Sequence, residues 1–140
     1  DGCLFHHPIS TGLVQEAYDG KTARGLWYCI SQETLPTSDT EADARWYMEK
    51  LAIDFLKEDG QWKIWHMILY PLFKTSFYKS WGEPGAESLK PGAMNPMTGQ
   101  RNPDYWVYDT DAVYPADEPE PPVPYQSYGD MPHRMVSHEA

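Results

Sequence analysis

The chain has 140 residues, 41% hydrophobic and 14% aromatic, enough for one domain with a substantial core and too apolar for a wholly disordered protein. A formal net charge of −10 argues against nucleic-acid and anionic-membrane partners, because phosphate recognition needs clustered Lys and Arg. No run is long enough for a transmembrane helix, and two cysteines, Cys3 and Cys29, are too few for a disulfide framework, so both are expected as reduced thiols in a cytoplasmic protein, with a single bridge between them as the alternative.

Cys3 to Ser31 reads as a hairpin. Leu13 to Tyr18 runs into Asp19-Gly20, and Thr22 to Ile30 returns. Asp-Gly suits a two-residue turn because both central positions need positive φ. Gly25 inside the return strand suggests a bulge or bend that curves the sheet. Gln32 to Asp43 is polar, contains Pro36, and reads as a loop. Trp46 to Phe73 then forms a longer hairpin about Asp59-Gly60. An unbroken register from that turn pairs Glu58 with Gln61, Lys57 with Trp62, Phe55 with Ile64, Ile53 with His66, Leu51 with Ile68, Glu49 with Tyr70 and Tyr47 with Leu72. Side chains alternate faces. One face should carry Tyr47, Glu49, Leu51, Ile53, Phe55, Ile64, His66, Ile68 and Tyr70, an apolar floor with polar groups set into it, as a small-molecule pocket requires. The other, with Trp46, Met48, Trp65, Met67 and Leu69, is too apolar for water and is expected to meet a second copy or another layer.

Helix signal is weak throughout. A curved sheet with two apolar faces needs a second layer, so covering helices are expected upstream of Asp1 or on a separate chain. From about Trp81 the composition changes. Most of the prolines fall between Pro84 and Pro132, acids concentrate between Asp104 and Glu120, yet Tyr105, Trp106, Tyr108, Tyr114, Tyr125 and Tyr128 persist. Disordered tails are usually poor in aromatics. The division expected is residues 1–81 as sheet and 82–140 as an extended arm whose rings, Tyr105, Trp106 and Tyr108 among them, dock on the body or a neighbour, with His133 to Ala140 left mobile.

Two stretches, Asp19-Gly20-Lys21-Thr22-Ala23-Arg24-Gly25-Leu26-Trp27 and Lys57-Glu58-Asp59-Gly60-Gln61-Trp62-Lys63-Ile64-Trp65-His66, followed by Tyr70 and Lys79-Ser80-Trp81, resemble the SnoaL-like members of the nuclear transport factor 2-like superfamily over about Phe5 to Trp81. The resemblance implies an α+β cone, a strongly curved antiparallel sheet wrapped around helices with a pocket inside, and dimerisation through the outer sheet face. It also implies cofactor-free isomerase, dehydratase (lyase) or cyclase chemistry on a hydrophobic, oxygenated, polyketide- or steroid-like molecule. The family's opening helices, which often carry a catalytic Asp or Tyr, have no counterpart in this sequence.

His66 is the first candidate for proton transfer, an imidazole among apolar neighbours that can titrate near neutral pH; the competing reading is a histidine satisfied by a backbone carbonyl. Tyr47 and Tyr70 could receive developing oxyanion charge, and Glu49 could act as a base. For the tyrosines the alternative is rim packing, and for Glu49 a salt bridge to Arg24 or Arg45. His7, Leu51, Ile53 and Ile68 are the candidate substrate contacts. His6 and His7 point to opposite faces of a strand, so they cannot easily share a metal ion, and no metal or cofactor is expected. Cys29 has no nearby cation and reads as an inert buried thiol. The alternative function is a non-catalytic ligand-binding or assembly module. Either way a homo-oligomer is expected, completed in one version by a separate N-terminal chain.

Overall fold

In a computed structural model, the described residues are 2–83, 108, 110–111 and 118–130. They form a five-stranded antiparallel sheet of β1 (Leu4–His6), β2 (Leu13–Glu16), β3 (Thr22–Pro36), β4 (Ala42–Glu58) and β5 (Gln61–Ser76). The order is β1-β3-β4-β5, with β2 pairing the other end of β3 on the β1 side. The expectation of an α+β cone is overturned. Among the described residues there is no α-helix, only a 3-10 turn at Tyr128–Asp130, and the sheet is open. The reason is visible in the chain itself: its apolar residues repeat with period two, and the helical layer rested on the sheet's need for a second layer and on the resemblance, not on any helical period. Among the described residues no helix is long and apolar enough to cross a membrane.

Both Asp-Gly pairs reverse the chain, but only Asp59-Gly60 forms the two-residue turn expected, since at the first pair Asp19 does not have positive φ. Asp59 and Gly60 have φ of 51° and 76°, so both central residues adopt the left-handed conformation that joins β4 to β5. Gly20 has φ 68° in the β2–β3 turn. The polar stretch from Gln32 to Asp43 is not all loop, since β3 runs to Pro36 and β4 resumes at Ala42. Gly25 is not a bulge. It pairs with Ile53 in an uninterrupted β3–β4 ladder, and its missing side chain makes room for the Trp27 indole, since a Cβ there would lie 2.0 Å from the Trp27 ring.

The irregularities sit in β5. Near the turn the unbroken register holds, with Lys57 opposite Trp62 and Phe55 opposite Ile64. Trp65 is then an extra residue, so Asp54 faces His66 and Ile53 faces Met67. Leu72 is a second extra residue, after which Met48 faces Phe73 and Tyr47 faces Lys74. Each bulge flips the strand by one residue. The segment between them is therefore inverted relative to the unbroken register: His66, Ile68 and Tyr70 join the face of Asp54, Ala52 and Lys50, while Met67 and Leu69 join the face of Ile53 and Leu51. The expected pairing of Ile53 with His66 is corrected accordingly. The expected outer face is split as well, with Trp46 and Met48 on one side and Met67 and Leu69 on the other. Pro71 beside the second bulge lacks the N–H an unbroken ladder would use.

Two thin cores result. On one side, called the Glu49 face, Cys29, Leu51 and Ile53 are buried with Trp27 and Phe55 against them. On the other, the arm face, Leu26, Ala52 and Tyr70 are buried with Ile68. The arm returns to this second face. Tyr108 donates its N–H to the carbonyl of the bulged Leu72 at 2.9 Å and meets the Phe73 ring edge-on, and Trp81 stacks on the same Phe73. Tyr125 is buried against Ala17 with Tyr128 beside it. Tyr105, Trp106 and His133 to Ala140 lie outside the described residues.

Candidate functional site

The least exposed large side chains of the sheet are charged: Lys50 on the arm face and Glu49 on the other. A buried charge requires a partner, and the partners of Glu49 define the site. His7, just beyond β1, continues the antiparallel approach to β3 toward Ser31, which pairs with Tyr47 on β4. Its Nδ1 lies 2.7 Å from Glu49 Oε1, with side-chain exposures of 31% for His7 and 0% for Glu49. Ser31 donates its hydroxyl to the same oxygen at 3.2 Å. His7 Nε2 is 3.8 Å from Glu33 Oε1, and the other oxygen of Glu33 accepts a hydrogen bond from Lys74 Nζ. The Lys74 ammonium also sits 5.4 Å from the centroid of the Tyr47 ring, which His7 meets edge-on at 6.0 Å.

This constellation has a chemical consequence. A carboxylate only accepts hydrogen bonds, so Nδ1 carries the proton shared with Glu49 and Nε2 of a neutral His7 keeps its lone pair. The imidazole is held at Nδ1 by Glu49, and its Nε2 faces Glu33 Oε1 at 3.8 Å. Glu49 Oε2 is buried with no hydrogen-bond partner among the described residues, an acceptor that calls for a donor. Beside the cluster, Trp27, Leu51, Ile53 and Phe55 form a continuous apolar floor. Cys29 faces Glu49 across the ladder; burial first, then the Glu49 charge, pushes its thiol above the usual range, so it is a poor nucleophile.

Of the residues singled out from the sequence, His7, Tyr47, Glu49, Leu51 and Ile53 share this face. His66, Ile68 and Tyr70 do not. His66 instead lies 3.5 Å from Asp54 on the arm face, where Arg24 pairs with the same carboxylate through Nε at 2.7 Å. Neither proposed ion-pair partner of Glu49 reaches it, since Arg24 takes Asp54 and Arg45 takes Asp43. Ser31, Glu33 and Lys74 were missed. Reading Trp27, Cys29, Ser31 and Glu33 as one period-two run would have found the first two; Lys74 is hidden behind two bulges.

Both cysteines are free thiols, Cys3 exposed and Cys29 buried. Among the described residues no three His, Cys, Asp or Glu side chains are arranged to hold a metal ion. No family model matches this chain, and no curated protein matches it.

Proposed function

We propose that the Glu49 face is the floor of a small-molecule site in which His7, held by Glu49, moves a proton on a hydrophobic, oxygenated ligand without a cofactor. The observation that carries this reading is the 2.7 Å contact of a partly exposed imidazole with a wholly buried carboxylate at the end of an apolar floor. His7 Nε2 takes a proton from a carbon next to a carbonyl and returns it elsewhere, the elementary step of isomerisation, dehydration and aldol-type cyclisation. Glu49 is a positioning residue that fixes the tautomer. Lys74, beside the Tyr47 ring and paired with Glu33, supplies the positive charge for a developing oxyanion. The partly buried Trp27 and Phe55, packed over the buried Leu51 and Ile53, receive the apolar body of a polyketide- or steroid-like molecule. The resemblance to SnoaL-like proteins supports the same class of chemistry, and the two free thiols suit a cytoplasmic setting.

The test is deuterium exchange at the α-carbon of 2-tetralone in D2O, followed by proton NMR. The unaltered chain should exceed buffer containing free imidazole, and His7→Gln should lose about 100-fold of the catalysed rate. A rate equal to the imidazole control would end this reading.

A second reading rests on another observation. Ile64, Met67 and Leu69 on the same face are 59%, 57% and 40% exposed, more apolar surface than a lone sheet leaves in water. On this reading the face binds a second copy, or a separate chain supplying the missing layer, as an assembly module. Sedimentation of the unaltered chain beside Met67→Asp separates the two readings: a shift to smaller mass supports assembly, and no shift counts against it.

A further inference from the structure

The buried residues of the C-terminal segment recur at every third position. Pro119, Pro122 and Tyr125 are buried and Tyr128 is half-buried, while Glu118, Glu120, Pro121, Val123, Pro124 and Gln126 are exposed. A proline-rich segment without internal hydrogen bonds leaves its backbone free to bond elsewhere. One edge of this segment rests on the sheet, and the carbonyls of Glu118, Tyr125 and Gln126 are taken up there. Lys50, wholly buried on β4, donates from Nζ to the Glu118 carbonyl and sits over the Tyr28 ring. The N–H groups of Tyr18 and Asp19, in the β2–β3 turn, donate to the carbonyls of Tyr125 and Gln126, each at 3.1 Å. Thr22 Oγ1 and the Tyr125 hydroxyl are 3.1 Å apart, and Tyr128 packs 4.5 Å from the bulged Trp65 ring.

The lysine, turn amides, hydroxyl and indole all belong to the sheet hairpins, whereas the segment they hold has no regular structure of its own between Glu120 and Tyr125. Aromatic rings and hydrogen-bond donors that take every third residue of a proline-rich segment are a recurring mode of peptide recognition. We propose that this strip of the arm face is a recognition groove for proline-rich peptides with the spacing Pro-x-x-Pro-x-x-Tyr, and that residues 118–130 are its resident, displaceable occupant. The partner is a segment of that spacing on another protein. The exposed Glu118 and Glu120 side chains set no part of the specificity. Isolated anchors separated by exposed residues, opposed by the ordering entropy of the segment, make the occupant exchangeable. This inference is independent of the proton-transfer reading, which concerns the opposite face.

The test uses the full chain carrying Tyr125→Ala, which weakens the resident segment, and a fluorescein-labelled synthetic peptide spanning residues 118–130. Anisotropy should show binding about tenfold tighter to the variant than to the unaltered chain, whose groove is already filled. A peptide carrying Pro119→Ala, Pro122→Ala and Tyr125→Ala should bind about tenfold more weakly, and one carrying Glu118→Gln and Glu120→Gln should bind equally well. Equal binding to variant and unaltered chain, or equal binding of the proline- and tyrosine-substituted peptide, would overturn the proposal. Should Tyr125→Ala fail to fold, hydrogen exchange on the unaltered chain decides. A displaceable occupant requires the Tyr18 and Asp19 amides to exchange about 100-fold faster than those of the β3–β4 ladder, and equal protection contradicts it.

Discussion

The two faces of the sheet treat buried charge in opposite ways. On the arm face Asp54 is held by Arg24 through two hydrogen bonds at 2.7 and 3.3 Å, with His66 nearby, and the C-terminal segment lies over the same side. On the Glu49 face a buried carboxylate is bound through one oxygen, its second oxygen has no partner among the described residues, and its main partner is a half-exposed imidazole. A fully paired charge stabilises a fold, whereas a partly paired one is kept at some cost in stability. The Asp54–Arg24 pair therefore reads as architecture and the Glu49–His7 pair as a place for chemistry.

The largest effect that would sharpen this contrast is Asp54→Ala. It removes the carboxylate that Arg24 holds through two hydrogen bonds and should destabilise the chain by about 3 kcal/mol in urea unfolding. Glu49→Gln keeps the shape and removes a charge that is incompletely paired, so it should cost less than about 1 kcal/mol. Equal costs would break the comparison.

Next comes Gly25→Ala. The added Cβ meets the Trp27 ring at 2.0 Å, so the indole must leave its seat, at a cost of about 2 kcal/mol. Trp27 fluorescence and the melting temperature should both shift, whereas Gly60→Ala, with nothing within 4 Å of its Cβ, should change only the melting temperature.

Tyr125 gives a smaller, pH-dependent effect. Burial, foremost, pushes its phenol above the ordinary value, with Asp54 and Asp19 adding to the rise and the Thr22 hydrogen bond and Arg24 opposing it. The unfolded phenol ionises near pH 10 and the folded one only above that. The folded state thus holds the proton longer, and stability is intact below about pH 10 and falls as pH rises past it. Tyr125→Phe should cost about 1 kcal/mol at neutral pH and flatten that alkaline fall. An unchanged alkaline slope would show that Tyr125 is not buried as described.

The smallest effect is a rate. At pH 8 the exposed Cys3 should react with a disulfide reagent promptly and Cys29 only on unfolding, since burial and Glu49 hold its thiol above the usual range. Two prompt thiols would show that the Glu49 face is open to solvent at β3.

The sequence made the Asp59-Gly60 turn legible because Asp-Gly has a backbone meaning, and the four pairs nearest it follow from it. It did not show the bulges at Trp65 and Leu72. An apolar-on-both-faces hairpin reads the same in either register, so nothing in the alternation of Trp65, His66, Met67 and Ile68 marks the slip; Pro71 was the one local signal of the second. That slip moved His66, Ile68 and Tyr70 off the site while leaving Tyr47, Glu49, Leu51 and Ile53 in place. His7 was legible as the pocket-side member of His6-His7. Glu33 was lost because polar residues were read as loop, although polar side chains that pair with one another sit comfortably in a strand. The α+β cone failed for a different reason, since no helical period in these residues supported it.

The most direct test of the pairing is a long-range proton–nitrogen NMR spectrum of the histidine rings, taken with and without Glu49→Gln. The structure requires the His7 signals to report a proton on Nδ1 and to move on substitution, while those of His66 stay where they are. Movement of the His66 signals with His7 unchanged would restore the unbroken register and contradict both the bulge at Trp65 and the site built on His7.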